Sequence, residues 1–165
     1  MSTARLRLSK RSVIALVLAL VAMFLLPSAA VGGGEDHHHS HLQRFLLIST
    51  DPNATDLPVL AFGPIHARGV DHVVSDTEDV FEFPDGNLSV THTPTTSHDY
   101  SDPVTCLSTY KERGSYEITG GTGAYADASG HGHYRVSVKA IGCDQNAAPE
   151  VFTLTINAKG PLHLS

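Results

Sequence analysis

Between Gly114 and Val138 the chain reads GSYEITGGTGAYADASGHGHYRVSV, two stretches of alternating side chains around a polar, glycine-rich turn. Gly120, Gly121 and Gly123 fall in the middle of it. Glycine at such a place supplies positive φ and lets backbones approach closely. The alternation on either side predicts the two strands of a hairpin. A hairpin alone is marginal in water, so the rest of the chain must supply further strands.

It does so by the same pattern. Gln43 to Thr50 (QRFLLIST) reads as a strand ended by Asp51, Pro52, Asn53 and Asp56. Leu57 to Ala67 is apolar but interrupted by Pro58 and Gly63-Pro64, which predicts an edge strand or a bulge because proline cannot donate to a ladder. Strands are expected over Val70 to Ser75, Asp79 to Phe83 and Asn87 to Thr93, with Pro84-Asp85-Gly86-Asn87 as a tight turn. Pro94 to Asp102 reads as a polar loop covering one end of the fold, and Val104 to Glu112 as a strand carrying Cys106. Ala140 to Ala148 reads as a loop bearing Cys143, and Val151 to Ala158 as a last strand. Eight or nine β-segments and no amphipathic helix require an antiparallel sheet, since parallel strands need crossovers. Closure into a barrel best protects the edges, with a two-sheet sandwich as the competing architecture.

The N-terminus has the order of a secretory leader: Arg5, Arg7, Lys10 and Arg11, an uncharged apolar run from Val13 to Leu26, then Pro27, Ser28, Ala29 and Ala30. Cleavage is expected after Ala30, dividing the chain into a signal peptide over 1–30, a His-rich arm over 31–41 and a domain over 42–165. An uncleaved anchor is the rival reading, disfavoured because the apolar run is shorter than the roughly 20 residues of a membrane span. Loss of the leader leaves seven of the 11 Lys and Arg against 17 Asp and Glu, a formal charge of −10. Such a balance argues against nucleic acid and against an anionic membrane surface as partners. Cys106 and Cys143 in an exported chain read as one disulfide, a nucleophilic thiol being the sharper alternative.

Three groups of residues invite a chemical reading. His37, His38, His39 and His41 follow three glycines and could capture Zn(II), Cu(II) or Ni(II), or remain a mobile arm that binds metal adventitiously. On the second strand of the hairpin His131, His133, Arg135, Ser137 and Lys139 share one face and Gly132, Tyr134, Val136 and Val138 the other; pattern alone leaves open which face is inside. Tyr116, His131, His133 and Arg135 are the candidate ligand contacts of a wet lumen; two histidines at i and i+2 are also a weak metal pair. Asp76, Glu78 and Asp79 lack the spacing of a calcium loop and read as a solvated turn.

Other signatures are absent or misleading. Gly121, Gly123 and Ala126 satisfy G-x-G-x-x-A, but a dinucleotide site needs a helix there, and Ser129, Gly130 and Gly132 forbid one. There is no G-x-S-x-G elbow and no H-E-x-x-H pair, so no catalytic residue and no cofactor is assigned. Asn53-Ala-Thr55 and Asn87-Leu-Ser89 match the glycosylation sequon.

The run GSYEITGGTGAYADASGHGHY, with FEFPDGNLSVTHTP before it and INAKGPL after it, resembles secreted bacterial proteins described as allene oxide cyclase barrel-like. It is more distantly similar to plant dirigent proteins, whose hairpin carries the same turn as Gly120, Gly121, Thr122, Gly123, Ala124, Tyr125 and Ala126, then Ala128, Ser129 and Gly130. The resemblance spans roughly Gly63 to Leu162. It implies an eight-stranded antiparallel barrel with a ligand-sized cavity, trimers in the plant relatives, and a lumen that directs ring closure or coupling of a reactive intermediate. The polar pocket residues of the plant cyclase have no match in this sequence, so its isomerase activity is not carried over. The expectation is a secreted barrel binding a small apolar molecule. Isomerase or coupling director, and metal capture by the histidine arm, are the alternatives.

Overall fold

The computed structural model describes residues 41–164 apart from Gln145. The expected leader and His37, His38 and His39 lie outside the described residues. Eight antiparallel strands, each paired with the next, form a closed barrel. They are β1 (His41–Ser49), β2 (Asp56–Phe62), β3 (Ala67–Ser75), β4 (Glu78–Phe83), β5 (Gly86–Asp102), β6 (Leu107–Gly121), β7 (Ser129–Ile141) and β8 (Val151–His163). Pairing of β1 with β8 from His41↔Leu162 to Ser49↔Leu154 closes the ring. His41 thus belongs to the first strand rather than to an arm.

Period-2 patterning decides what is inside. Gln43, Phe45 and Leu47 on β1, Phe81 and Phe83 on β4, Leu88 and Val90 on β5, Tyr116 and Ile118 on β6 and Tyr134 on β7 are buried. Phe45 is the hub: its ring meets Phe81 edge-on at 5.3 Å, Phe83 at 6.5 Å and Tyr116 at 6.4 Å, favourable aromatic separations.

One end of the barrel is plugged. Ile65, in the β2–β3 turn, is buried, and the buried Gln43 amide holds it: Ile65 N–H donates to Oε1 (2.9 Å) and Nε2 donates to the Ile65 carbonyl (3.1 Å). Tyr125, in the short 3-10 turn Gly123–Tyr125, tucks edge-on against Phe83 at 6.2 Å. Gly123 has φ +59 and sits so close to Asp85 that a Cβ would strike its carbonyl oxygen.

Two expectations are corrected. Residues 94–102 are not a covering loop. After a bulge between Pro94 and Thr96, β5 continues, pairing with β6 as far as Asp102↔Leu107. The polar run escapes the barrel's alternation because here the strands rise past the short β1–β4 and both faces meet solvent. Pro58 does not mark a sheet edge either. β1–β2 pairing ends at Leu47↔Val59 while Pro58 still opposes Val70, so the proline stands where a donor on one side is no longer needed.

The tall part of β5–β8 is a wing above the barrel. At its tip the sulfurs of Cys106 and Cys143 lie at bonding distance, 1.92 Å, with Cα atoms 4.9 Å apart, tying the β5–β6 turn to the β7–β8 loop. Asp102 orders that turn by accepting from Val104 N–H (2.9 Å) and Thr105 Oγ1 (2.8 Å).

Replacing Gly123 with Val should lower stability by about 2 kcal/mol or more, seen as a lower urea midpoint and lower soluble yield. The double change Cys106→Ser, Cys143→Ser should cost up to about 4 kcal/mol. Its hydrogen exchange should rise first at the wing tip, leaving strand β1 protected.

Candidate functional site

Following each strand's inward phase upward from the plug leads out of the apolar core and into polar residues. On β4 the inward position after Phe83 and Phe81 is Asp79; on β5, after Leu88 and Val90, it is His92. On β6 Ile118, Tyr116 and Gly114 lead to Glu112, and on β3 Gly69 leads to Asp71. These side chains, with Tyr116 and Tyr134, line a cavity of about 90 Å³ whose remaining wall is Phe45, Leu47, Phe81, Val90, Val136, Ile156 and Ala158. Polar groups therefore come from β3 to β7, while β8 and β1 supply an apolar wall.

The glycine-rich hairpin places the two tyrosines. Tyr134 opposes Gly114 and Tyr116 opposes Gly132 across the β6–β7 ladder. A Cβ on Gly114 would stand 2.5 Å from the Tyr134 ring, and one on Gly132 2.6 Å from the Tyr116 ring. Each ring lies over the missing side chain of the opposite strand, as aromatic rings do over cross-strand glycines.

Several atoms of these polar groups have partners. Glu112 accepts from Tyr134 OH at 2.7 Å and, through its other oxygen, from Tyr110 OH. His92 Nε2 lies 3.3 Å from Asp79 Oδ2, its ring stands edge-on to Tyr134 at 5.6 Å, and its backbone N–H reaches Thr77 O at 2.9 Å. In contrast, Asp71 Oδ1, His92 Nδ1 and Tyr116 OH are buried with no hydrogen-bond partner among the described residues. An unpartnered buried polar group costs about 1–3 kcal/mol, so three of them around one cavity are an expensive arrangement for a purely structural interior.

Burial, then the nearby Asp79 carboxylate and Asp56, push the Asp71 pKa up to about 7, against the opposing pull of His72. Burial also raises Asp79, with His92 lowering it, and pushes Tyr116 up to about 12. Near neutral pH Asp71 is thus divided between carboxylic acid and carboxylate, the condition in which one group can both donate and accept a proton. In the same cavity His92, anchored at Nε2, keeps an unpartnered Nδ1, and the neutral Tyr116 phenol offers a donor. Together they can hold a carbonyl or hydroxyl group and move a proton on it.

Of the residues expected as ligand contacts, only Tyr116 faces the lumen. His131, His133 and Arg135 are exposed on the outer wall, because the inward phase of β7 belongs to Gly132, Tyr134 and Val136. His41 is exposed at the start of β1, and His37, His38 and His39 are outside the described residues. No group of three or more His, Cys, Asp or Glu is placed to hold a metal ion among the described residues. The expected solvated knot divides: Asp76 is exposed in the β3–β4 turn and Glu78 is exposed, whereas Asp79 enters the barrel. The candidate ligand contacts read from the sequence do not include Asp71, Asp79, His92, Glu112 or Tyr134; extending the phase of Phe81/Phe83, Leu88/Val90 and Tyr116/Ile118 by one or two steps reaches three of them, Asp79, His92 and Glu112.

No family model matches the chain, and no curated protein or solved structure matches it either.

The raised pKa of Asp71 has a measurable sign. Between its unfolded value near 3.8 and its folded value near 7 the native state binds the extra proton, so this group's contribution to stability falls as pH rises through that window. A shift of this size corresponds to about 4 kcal/mol. Asp71→Asn should therefore become progressively more stable relative to the parent from pH 4.5 to pH 8 in urea titrations. A difference that stays constant across this range would contradict the assignment.

Proposed function

We propose that the barrel binds a small, largely apolar molecule that carries a carbonyl or hydroxyl head, with the head in the lumen. The observation that carries this reading is the convergence of the partnerless Asp71 Oδ1, His92 Nδ1 and Tyr116 OH on one cavity. Its volume, about 90 Å³, is well below the roughly 300–1,000 Å³ of sites that enclose drug-sized ligands. Only a ring or a short head fits inside. The body of the ligand would lie along the inner face of the wing, where a groove of about 310 Å³ includes Ser108, Tyr110, Val138 and Ala140 and the next strand adds the half-buried Phe152 and Leu154. Tyr110, bonded to Glu112, joins groove to cavity.

A second reading, an isomerase or coupling director that acts on a reactive intermediate held in the lumen, is favoured by Asp71. An acid near pKa 7 that shares its cavity with an imidazole suits proton transfer to and from a bound carbonyl. Under both readings the protein is exported and needs no cofactor, and the exposed Leu42, Ile48, Phe62 and Val70 on the outer wall of β1–β3 offer a surface for self-association, a trimer by resemblance. Metal capture by the histidine arm stands apart from the lumen.

Incubating the protein with a metabolite extract and identifying retained compounds by mass spectrometry tests the binding reading. Tyr116→Phe deletes an unpartnered hydroxyl, so folding stability should hold or rise, while retention should weaken about tenfold, the worth of one hydrogen bond. Retention unchanged by this variant, or no compound recovered at all, would sink the proposal. Under the isomerase reading, adding the protein changes product stereochemistry and Asp71→Asn abolishes that change.

A further inference from the structure

The outer wall of the barrel carries a second feature that the lumen does not use. Among the described residues there are seven Arg and Lys: Arg44, Arg68, Lys111, Arg113, Arg135, Lys139 and Lys159. All but Arg68 lie on β1, β6, β7 and β8, at exposed positions. The acidic residues are kept away from this wall. Strands β1, β7 and β8 contain no Asp or Glu, and on β6 Glu112 faces the lumen, leaving Glu117 as the outward carboxylate.

The register sets like charges against one another. Arg113 lies directly opposite Arg135 across β6–β7, and Arg44 directly opposite Lys159 across β1–β8, with His133 facing Lys159 from the other side. Like charges opposed across a ladder destabilise a sheet. No carboxylate of the described residues makes an ion pair with any of these cations, although the chain has 17 Asp and Glu from which to draw one. Arg44, Arg113, Arg135, Lys159 and His133 instead line a groove of about 680 Å³, together with Thr95, Thr96 and Asn157. Thr96 opposes Arg113 just beyond the bulge in β5, and a bulge bends its strand, so the groove is edged where β5 departs from the barrel.

From these observations we infer that this groove is an anion-binding site for a short acidic oligosaccharide carrying carboxylate or sulfate groups. The cations step from strand to strand at about 4.8 Å and span roughly 14 Å from β1 to β6, which suits a linear chain of acidic units rather than one compact anion. The guanidinium groups of Arg44, Arg113 and Arg135 can each donate to two oxygens of a carboxylate or sulfate. Thr95, Thr96 and Asn157 supply neutral donors and acceptors for hydroxyls. Among the described residues that line the groove no Phe, Tyr or Trp ring is exposed to stack bases, as single-stranded nucleic acid would need, and the acidic remainder of the chain repels a long nucleic acid.

The test is calorimetric titration of the full chain with tetragalacturonate, with a sulfated tetrasaccharide, with neutral maltotetraose and with a DNA hexamer, at low and at physiological salt. Binding of either acidic tetrasaccharide, weakening as salt rises, with none of maltotetraose and weaker binding of the hexamer, is expected. The two acidic arms tell carboxylate from sulfate preference. Arg113→Ser and Arg135→Ser should each weaken binding about tenfold, and because each relieves a like-charge pair, neither should lower the melting temperature. Arg68→Ser, on the opposite wall, should leave binding unchanged. Binding that survives Arg113→Ser with Arg135→Ser, that is equal for the hexamer, or that is absent for both acidic tetrasaccharides at low salt would overturn the inference.

Discussion

Closure of the ring is the constraint from which the other features follow. Once β1 pairs with β8 over nine consecutive residues, every strand has a neighbour on both sides and each side chain is committed to the lumen or to the outer wall. A one-residue slip anywhere would exchange the two sets, turning Phe45 out and Arg44 in. The commitment explains why Gln43 is tolerated in a buried position: its amide meets both backbone groups of Ile65, so no polar atom is stranded and the turn beneath the barrel is fixed. It also explains why the lumen becomes polar only above Phe81, where the plug no longer shields it.

The interior is therefore graded along its axis. At the closed end, aromatic and aliphatic side chains fill the space; in the middle, Tyr116 and Tyr134 bring hydroxyls inward through slots left by Gly132 and Gly114; above them stand Asp71, Asp79, His92 and Glu112. Only part of this polar tier satisfies itself. Glu112 uses both oxygens on tyrosines and Asp79 meets His92, whereas Asp71 is held near its titration point by burial and like charge. The division separates residues that hold the site's shape from those with unused hydrogen-bonding capacity.

The barrel class, the antiparallel order and most strand positions were legible because alternation and turn residues are local signals. The hairpin around Gly123 was read as a backbone device, and the positive φ and close approach to Asp85 agree with that. The site was less legible. Which face of β7 is inside depends on pairing with β8, a long-range fact, so His131, His133 and Arg135 were grouped with Tyr116 although the ladder sends them to opposite sides. Asp79 reads as part of a solvated turn because Asp76 is in one and Glu78, at the start of β4, is exposed. The polar run over residues 94–102 has the composition of a loop because a strand free on both faces has no reason to alternate.

The unequal strand lengths give the molecule a direction. β5 and β6 run to 17 and 15 residues while β4 has six, so the mouth of the barrel is a scoop rather than a cup: a tall back wall, pinned at its top by Cys106 and Cys143, faces a low lip formed by the tops of β1 to β4. A molecule bound for the lumen meets the back wall first and descends along it, passing Tyr110 before it reaches Glu112. Selection by shape can thus take place on the open wall, in contact with solvent, before any part of a ligand is enclosed.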